Sequence, residues 1–99
     1  MKLKPGVKLG GISPEMAVAA VVIESVIPGA VITSALDGKH SANSLHYKGR
    51  AFDVRSKTIS DKPSVLAFLK AALGAEFDVL LEGEGTENEH LHVEWDPKE

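Results

Sequence analysis

An α+β domain, with a small, mostly antiparallel sheet and two helices, is the fold class this sequence predicts. Two observations carry that expectation. Two apolar segments recur at helical spacing behind capping residues, and four short segments are β-branched or alternate apolar with polar residues. Their order is helix, strand, loop, strand, helix, strand, strand, which suits an α+β layer. The protein has 99 residues, enough for one domain over 1–99 and not two. A domain of that size buries roughly 60–65% of its unfolded surface, so the core is modest.

Residues 2–12 carry Gly6, Gly10 and Gly11 and read as a loop. Ser13-Pro14-Glu15 is a helix start: an N-cap hydroxyl, a proline at the first helical position and an acid in the first turn. Met16, Ala19, Ala20, Ile23 and Ile27 follow at helical spacing. Val18, Val21 and Val22 make the other faces apolar too, so the helix is expected to be largely buried. Pro28-Gly29 ends it, and residues 30–34 form a short β-branched strand. Residues 36–48, with Asp37-Gly38, Ser41, Asn43 and Ser44, read as a loop of the kind that carries function on a rigid scaffold. Residues 50–55 alternate as a strand. Ser60-Asp61 caps a second helix over residues 62–73, with Val65, Leu66, Phe68, Leu69, Ala72 and Leu73 toward the core and Gly74 closing it. Strands over 77–82 and 90–95, joined by the glycine-rich segment 83–88, complete the domain. Glu82, Glu84, Glu87 and Glu89 make an acidic run that reads as a solvated loop.

The composition is that of an ordinary globular protein, 43% hydrophobic and 25% charged. A net charge of -3 argues against a nucleic-acid surface, which needs a basic patch. With no cysteine, disulfides and thiolate metal sites are excluded, so any metal is held by histidine and carboxylate. Pro5 and Gly6 interrupt the basic start, and Glu24 interrupts the apolar run 16–27. Neither a signal peptide nor a membrane span is expected. The protein reads as made in the cytoplasm, and as a monomer.

The chemistry-bearing residues are His46 with Asp53, and His90 with His92. Successive strand residues point to opposite faces. In the last strand Leu91, Val93 and Trp95 share one face and His90, His92 and Glu94 the other. In the strand over 50–55, Phe52 and Val54 point one way, Ala51, Asp53 and Arg55 the other. With the apolar faces together in one sheet, Asp53 and His92 emerge on the same surface, and His46 reaches it from the preceding loop. Three such ligands with one coordination position left over are the composition of a catalytic zinc site rather than a structural one. A general base within hydrogen-bond reach is then needed. His90 lies on the face of His92. Glu89 takes its place only if the strand starts later. Glu94 is a partner either of a ligating histidine or of Arg55. Ser44 either bonds within the loop or orients a ligand. Lys39 is a candidate to offer positive charge to a substrate carboxylate or an oxyanion, and His40 reads as a loop residue.

Ser44-x-His46-x-x-Gly49-x-Ala51-x-Asp53 resembles the S-x-H-x-x-G-x-A-x-D signature of the zinc D-Ala-D-Ala carboxypeptidase family. That family includes VanY-like carboxypeptidases and phage L-alanyl-D-glutamate endolysins. His90-x-His92 resembles the H-x-H element of the wider hedgehog/DD-peptidase fold. The resemblance spans residues 31–96. It implies that fold, zinc on His46, Asp53 and His92, and hydrolysis of peptide bonds in peptidoglycan stem peptides. It also implies His90 or Glu89 as base, and action on the cell wall after release from a phage or prophage context. Family members usually carry an arginine in a Ser-Gly-Tyr-Arg-like segment before the first motif. Here the comparable stretch is Thr33-Ser34-Ala35-Leu36-Asp37, and Lys39 or Arg50 would have to stand in. The alternative is a zinc-containing peptidoglycan-binding or phage structural domain of the same fold without activity.

Overall fold

The computed structural model describes residues 1–37 and 44–97. Its elements are β1 (Lys2–Leu3), α1 (Pro14–Val26), β2 (Val31–Ser34), a 3-10 helix (Leu45–Lys48), β3 (Ala51–Arg55), α2 (Lys62–Leu73), β4 (Phe77–Glu82) and β5 (His90–Trp95). The strands form one sheet in the order β1-β2-β3-β5-β4. Only the β1–β2 pair is parallel, so the sheet is mixed and mostly antiparallel, as the element order predicted.

Capping residues set both helices. The Ser13 side chain accepts from the Met16 amide, and the Asp61 carboxylate accepts from the Ser64 amide and hydroxyl. Each supplies a partner for a first-turn amide that has none within the helix. Met16, Ala19 and Ile23 of α1 and Leu69 of α2 are buried with Ile32, Phe52, Val54, Val79, Leu91 and Val93 of the sheet. The helical layer thus covers the face that Phe52, Val54, Leu91 and Val93 share. The opposite face carries Thr33, Asp53, Arg55, Leu80, Glu82, His90, His92 and Glu94.

Four expectations need correction. α1 is not buried all round: Val18 is 63% and Val21 71% exposed, because only the Met16–Ala19–Ile23 stripe meets the sheet. Phe68, expected in the core, is 65% exposed, and Ala72 also faces outward, since α2 contributes Leu69 with flanking Val65, Leu66 and Leu73. The segment 2–12 contains β1, whose two residues are too few to alternate. It is held by Lys2 N–H to Ala30 O and Lys4 N–H to Ile32 O, at 2.8 and 2.9 Å. The loop 36–48 ends in a 3-10 helix capped by Ser44, whose hydroxyl accepts from the His46 amide. No helix among the described residues is long and apolar enough to cross a membrane.

Candidate metal centre

The β3–β5 register decides the site. Asp53 pairs directly with His92, Arg55 with His90, and Ala51 with Glu94. On the far side of β5, Leu80 pairs with His92 and Glu82 with His90. The open face therefore presents Asp53 and His92 side by side at the middle of the sheet. On β2 the register shifts by one residue between Ile32 and Ser34, opposite Val54 and Asp53, and the Thr33 hydroxyl donates to the Asp53 carbonyl at 3.3 Å. Such a bulge bends a strand locally, here beside the site.

His46 comes from outside the sheet. The 3-10 helix ends at Gly49, whose φ of 69° is left-handed. Gly49 packs against the segment before α1, and its carbonyl accepts from the Ser13 amide at 2.8 Å. A Cβ at Gly49 would lie 2.3 Å from the Gly11 carbonyl oxygen and 2.9 Å from the Ile12 Cα. Glycine is needed both for the turn and for that close approach.

So held, the His46 ring is buried at 2% exposure, and its Nε2 lies 3.1 Å from Asp53 Oδ1. His92 Nδ1 lies 3.0 Å from the same oxygen. The two rings are 5.1 Å apart, centre to centre. His46, Asp53 and His92 each offer a ligand atom within 4.8 Å of those of the other two, so the three residues can hold one metal ion.

The outer nitrogens define the chemistry. His46 Nδ1 is 2.7 Å from the Ala35 carbonyl, and His92 Nε2 is 2.7 Å from a Glu94 carboxylate oxygen. Both partners are acceptors only, so both outer nitrogens carry hydrogen and donate. In neutral rings the inner nitrogens then present lone pairs toward Asp53 Oδ1. Two lone pairs aimed at one carboxylate oxygen repel unless something positive lies between them. Extra protons or a metal cation meet that requirement, and pinned outer nitrogens are the usual support of metal-bound histidine.

The electrostatics of the site agree. Burial works to raise the Asp53 pKa, but hydrogen bonds from His46 and His92 outweigh it and hold the carboxyl well below the usual range. Burial works against a charged His92, but hydrogen bonds to Asp53 and Glu94 outweigh it and push its pKa up to about 9. Without metal, the Asp53 contribution to stability is present above the ordinary carboxylate pKa and lost as pH falls below it. The His92 contribution is complete below about pH 6.5 and lost as pH rises through about 9. Metal requires the neutral ring, so uptake at neutral pH expels a proton. If the site takes up zinc, the affinity is expected to rise with pH up to about 9, with close to one proton released from His92 per ion at pH 7. Calorimetry in buffers of different ionisation enthalpy reads that number, and pH-independent affinity would contradict it.

His90 and Glu89 lie differently. His90 Nδ1 donates to the Asn88 carbonyl at 2.6 Å, leaving Nε2 to face Glu82 at 3.1 Å and Asp53 at 3.7 Å. The Glu89 carboxylate accepts from the Ser56 hydroxyl at 2.7 Å and the Gly85 amide at 3.2 Å, and it pairs with Lys62 at 3.3 Å. These partners, Ser56 first, hold its carboxyl below the usual range. Glu89 thus ties the 83–88 loop to the end of β3 and the start of α2. Of the two partners open to Glu94, the structure gives His92. Arg50 stacks over Trp95, 4.9 Å from the ring centre. Lys39 and His40 lie outside the described residues. Glu82, in sequence only a member of the acidic run, joins the site, and the inward alternation of Phe77, Val79 and Leu81 is the signal that puts it on the face of His90. The Ala35 carbonyl under His46 leaves no trace in the sequence.

An open groove of about 960 Å³ runs over the centre, bordered by residues of β2, β3, β4 and β5 and by the 3-10 helix. In comparisons with protein-family models, curated proteins and solved structures, no match to this protein was found.

Proposed function

We propose that the protein is a zinc-dependent peptidase that hydrolyses peptide bonds in peptidoglycan stem peptides, with the hedgehog/DD-peptidase type of fold. One observation carries the metal: His46 Nε2 and His92 Nδ1, each with its other nitrogen pinned to an acceptor, converge on Asp53 Oδ1. The peptide substrate rests on the resemblance of Ser44-x-His46-x-x-Gly49-x-Ala51-x-Asp53 to the carboxypeptidase signature.

Zinc bound by His46, Asp53 and His92 would supply Lewis acidity, lowering the pKa of water and polarising the scissile carbonyl. The residues around it do the rest. His90 Nε2, with Nδ1–H committed to Asn88, donates to Glu82 at 3.1 Å when protonated and in the neutral ring has a lone pair for a proton. It takes that proton from the attacking water and delivers it to the leaving amine. Glu82 stabilises the imidazolium that forms in between. Glu94 and the Ala35 carbonyl keep His92 and His46 in the tautomers that ligate.

His90→Ala is expected to lower kcat by about 100-fold or more while zinc stoichiometry stays the same. Glu89→Gln is expected to loosen the 83–88 loop with a much smaller effect on kcat. A Glu89 variant that loses more activity than the His90 variant reverses the assignment of the base. The function itself is tested by product release from stem peptides, with zinc and with EDTA. If the zinc-loaded protein frees no product from any stem peptide, the peptidase reading fails. A second reading, a domain that binds metal and stem peptide without cutting, is favoured by the lack of arginine over residues 33–37 and by the stacking of Arg50 on Trp95.

A further inference from the structure

Arg55 stands two residues from Asp53 on the same face of β3, about 7 Å along the strand. It pairs across from His90, whose other neighbour is Glu82 on β4. The groove over the centre is rich in carboxylates, among them Glu82, Glu87 and Glu94, yet the Arg55 guanidinium makes no hydrogen bond or ion pair among the described residues. Glu82 takes His90, Glu94 takes His92, and Glu89 takes Lys62. Lys57, following β3, and Lys4, following β1, border the same groove. The cations lie on the side of β1 and the end of β3, while Glu82 and Glu87 lie on the side of β4. An anionic group entering the groove is attracted to the first side and repelled from the second, which sets the direction of a bound peptide.

We propose that Arg55, with Lys4 and Lys57 bordering the same groove, is the specificity-determining group that binds a carboxylate of the substrate. The site then takes peptides carrying a carboxylate within one or two residues of the scissile carbonyl, either the peptide's own C-terminus or an acidic side group. The guanidinium fork suits a carboxylate, which it holds with two parallel hydrogen bonds. This inference rests on the peptidase reading for its reaction, but it concerns binding and is read without turnover.

The test uses the 99-residue protein loaded with zinc and three short peptides of one sequence. One has a free C-terminal carboxylate, one is amidated at the C-terminus, and one is amidated with a glutamate in place of a neighbouring residue. Binding is measured by calorimetry and by the shift of the Arg55 guanidinium signal in NMR spectra. The carboxylate form that fits is expected to bind roughly ten-fold more tightly than the neutral amide. The first and third peptides distinguish a C-terminus from an acidic side group as the source. Arg55→Gln should abolish that preference, Arg55→Lys should keep part of it, and where peptide is cleaved the change should appear in KM rather than kcat. Equal binding of all three peptides, no binding of any, or an unchanged preference in Arg55→Gln overturns the inference. A protein that prefers the carboxylate but releases no product leaves the inference standing and removes the peptidase reading. One that cleaves charged and neutral peptides alike does the reverse.

Discussion

Asp53→Asn is expected to lower the zinc affinity of the proposed site by more than about 100-fold, beyond the 10–100-fold cost of losing a residue that only supports a ligand, and to abolish the proposed peptide hydrolysis. Asp53 Oδ1 is the atom on which both histidines converge, at 3.0 and 3.1 Å. Asparagine keeps the shape and an acceptor oxygen but loses the charge. A neutral amide is a weaker ligand, and it no longer offsets the charge of a dication in a largely covered site. The variant also removes the strongest support for a charged His92. In the metal-free protein, the stability lost on raising the pH through about 9 should therefore shrink, leaving the part that Glu94 and Glu82 support. Titration against a competing chelator and unfolding curves across pH read the two effects separately. Zinc bound by Asp53→Asn within ten-fold of the parent would remove Asp53 from the proposed ligand set.

Gly49→Ala is expected to be the most damaging added methyl among the described glycines, destabilising by about 2–4 kcal/mol from overpacking and a left-handed backbone together. In a domain of this size that corresponds to a fall in Tm of roughly 10–25 °C. The added Cβ would lie 2.3 Å from the Gly11 carbonyl oxygen, and backbone rather than a flexible side group has to move. The turn it closes carries His46, and the same residue holds the Ser13 amide. Loss of the proposed zinc binding should accompany the loss of stability, because a displaced 3-10 helix carries His46 Nε2 away from Asp53. Gly74→Ala is the comparison: its φ is also positive, at 89°, but nothing lies within 4 Å of the added Cβ, so the cost is the backbone alone. Equal effects of the two changes would show that close packing of Gly49 has no special part.

Much of the sheet is legible in the sequence because its chemistry is local. Phe77–Glu82, His90–Trp95 and Lys62–Leu73 have the bounds that alternation, periodicity and capping predict. The facing of His90, His92 and Glu94 away from Leu91 and Val93 follows from the two-residue period of a strand. Misreadings come where an apolar residue meets no partner. Val18, Val21 and Phe68 are hydrophobic, but a two-layer domain gives each helix one covered face. β1 is invisible because two residues held by backbone hydrogen bonds have no side-group pattern.

At the site, residue types and spacing were enough to name the candidates: His46, Asp53, His90 and His92, their strand faces, and the signature that spaces the first two. They left His90 and Glu89 open, and Glu94 between His92 and Arg55. Tertiary contacts alone bring Glu89 to Ser56 and Lys62, Glu94 to His92 and the Ala35 carbonyl to His46. Those are contacts between residues up to 33 positions apart or to the backbone, and strand register and turn docking create them. The identity and spacing of a residue specify what it is able to do. Which of a histidine's two ring nitrogens is free to do it depends on an acceptor supplied from elsewhere in the fold.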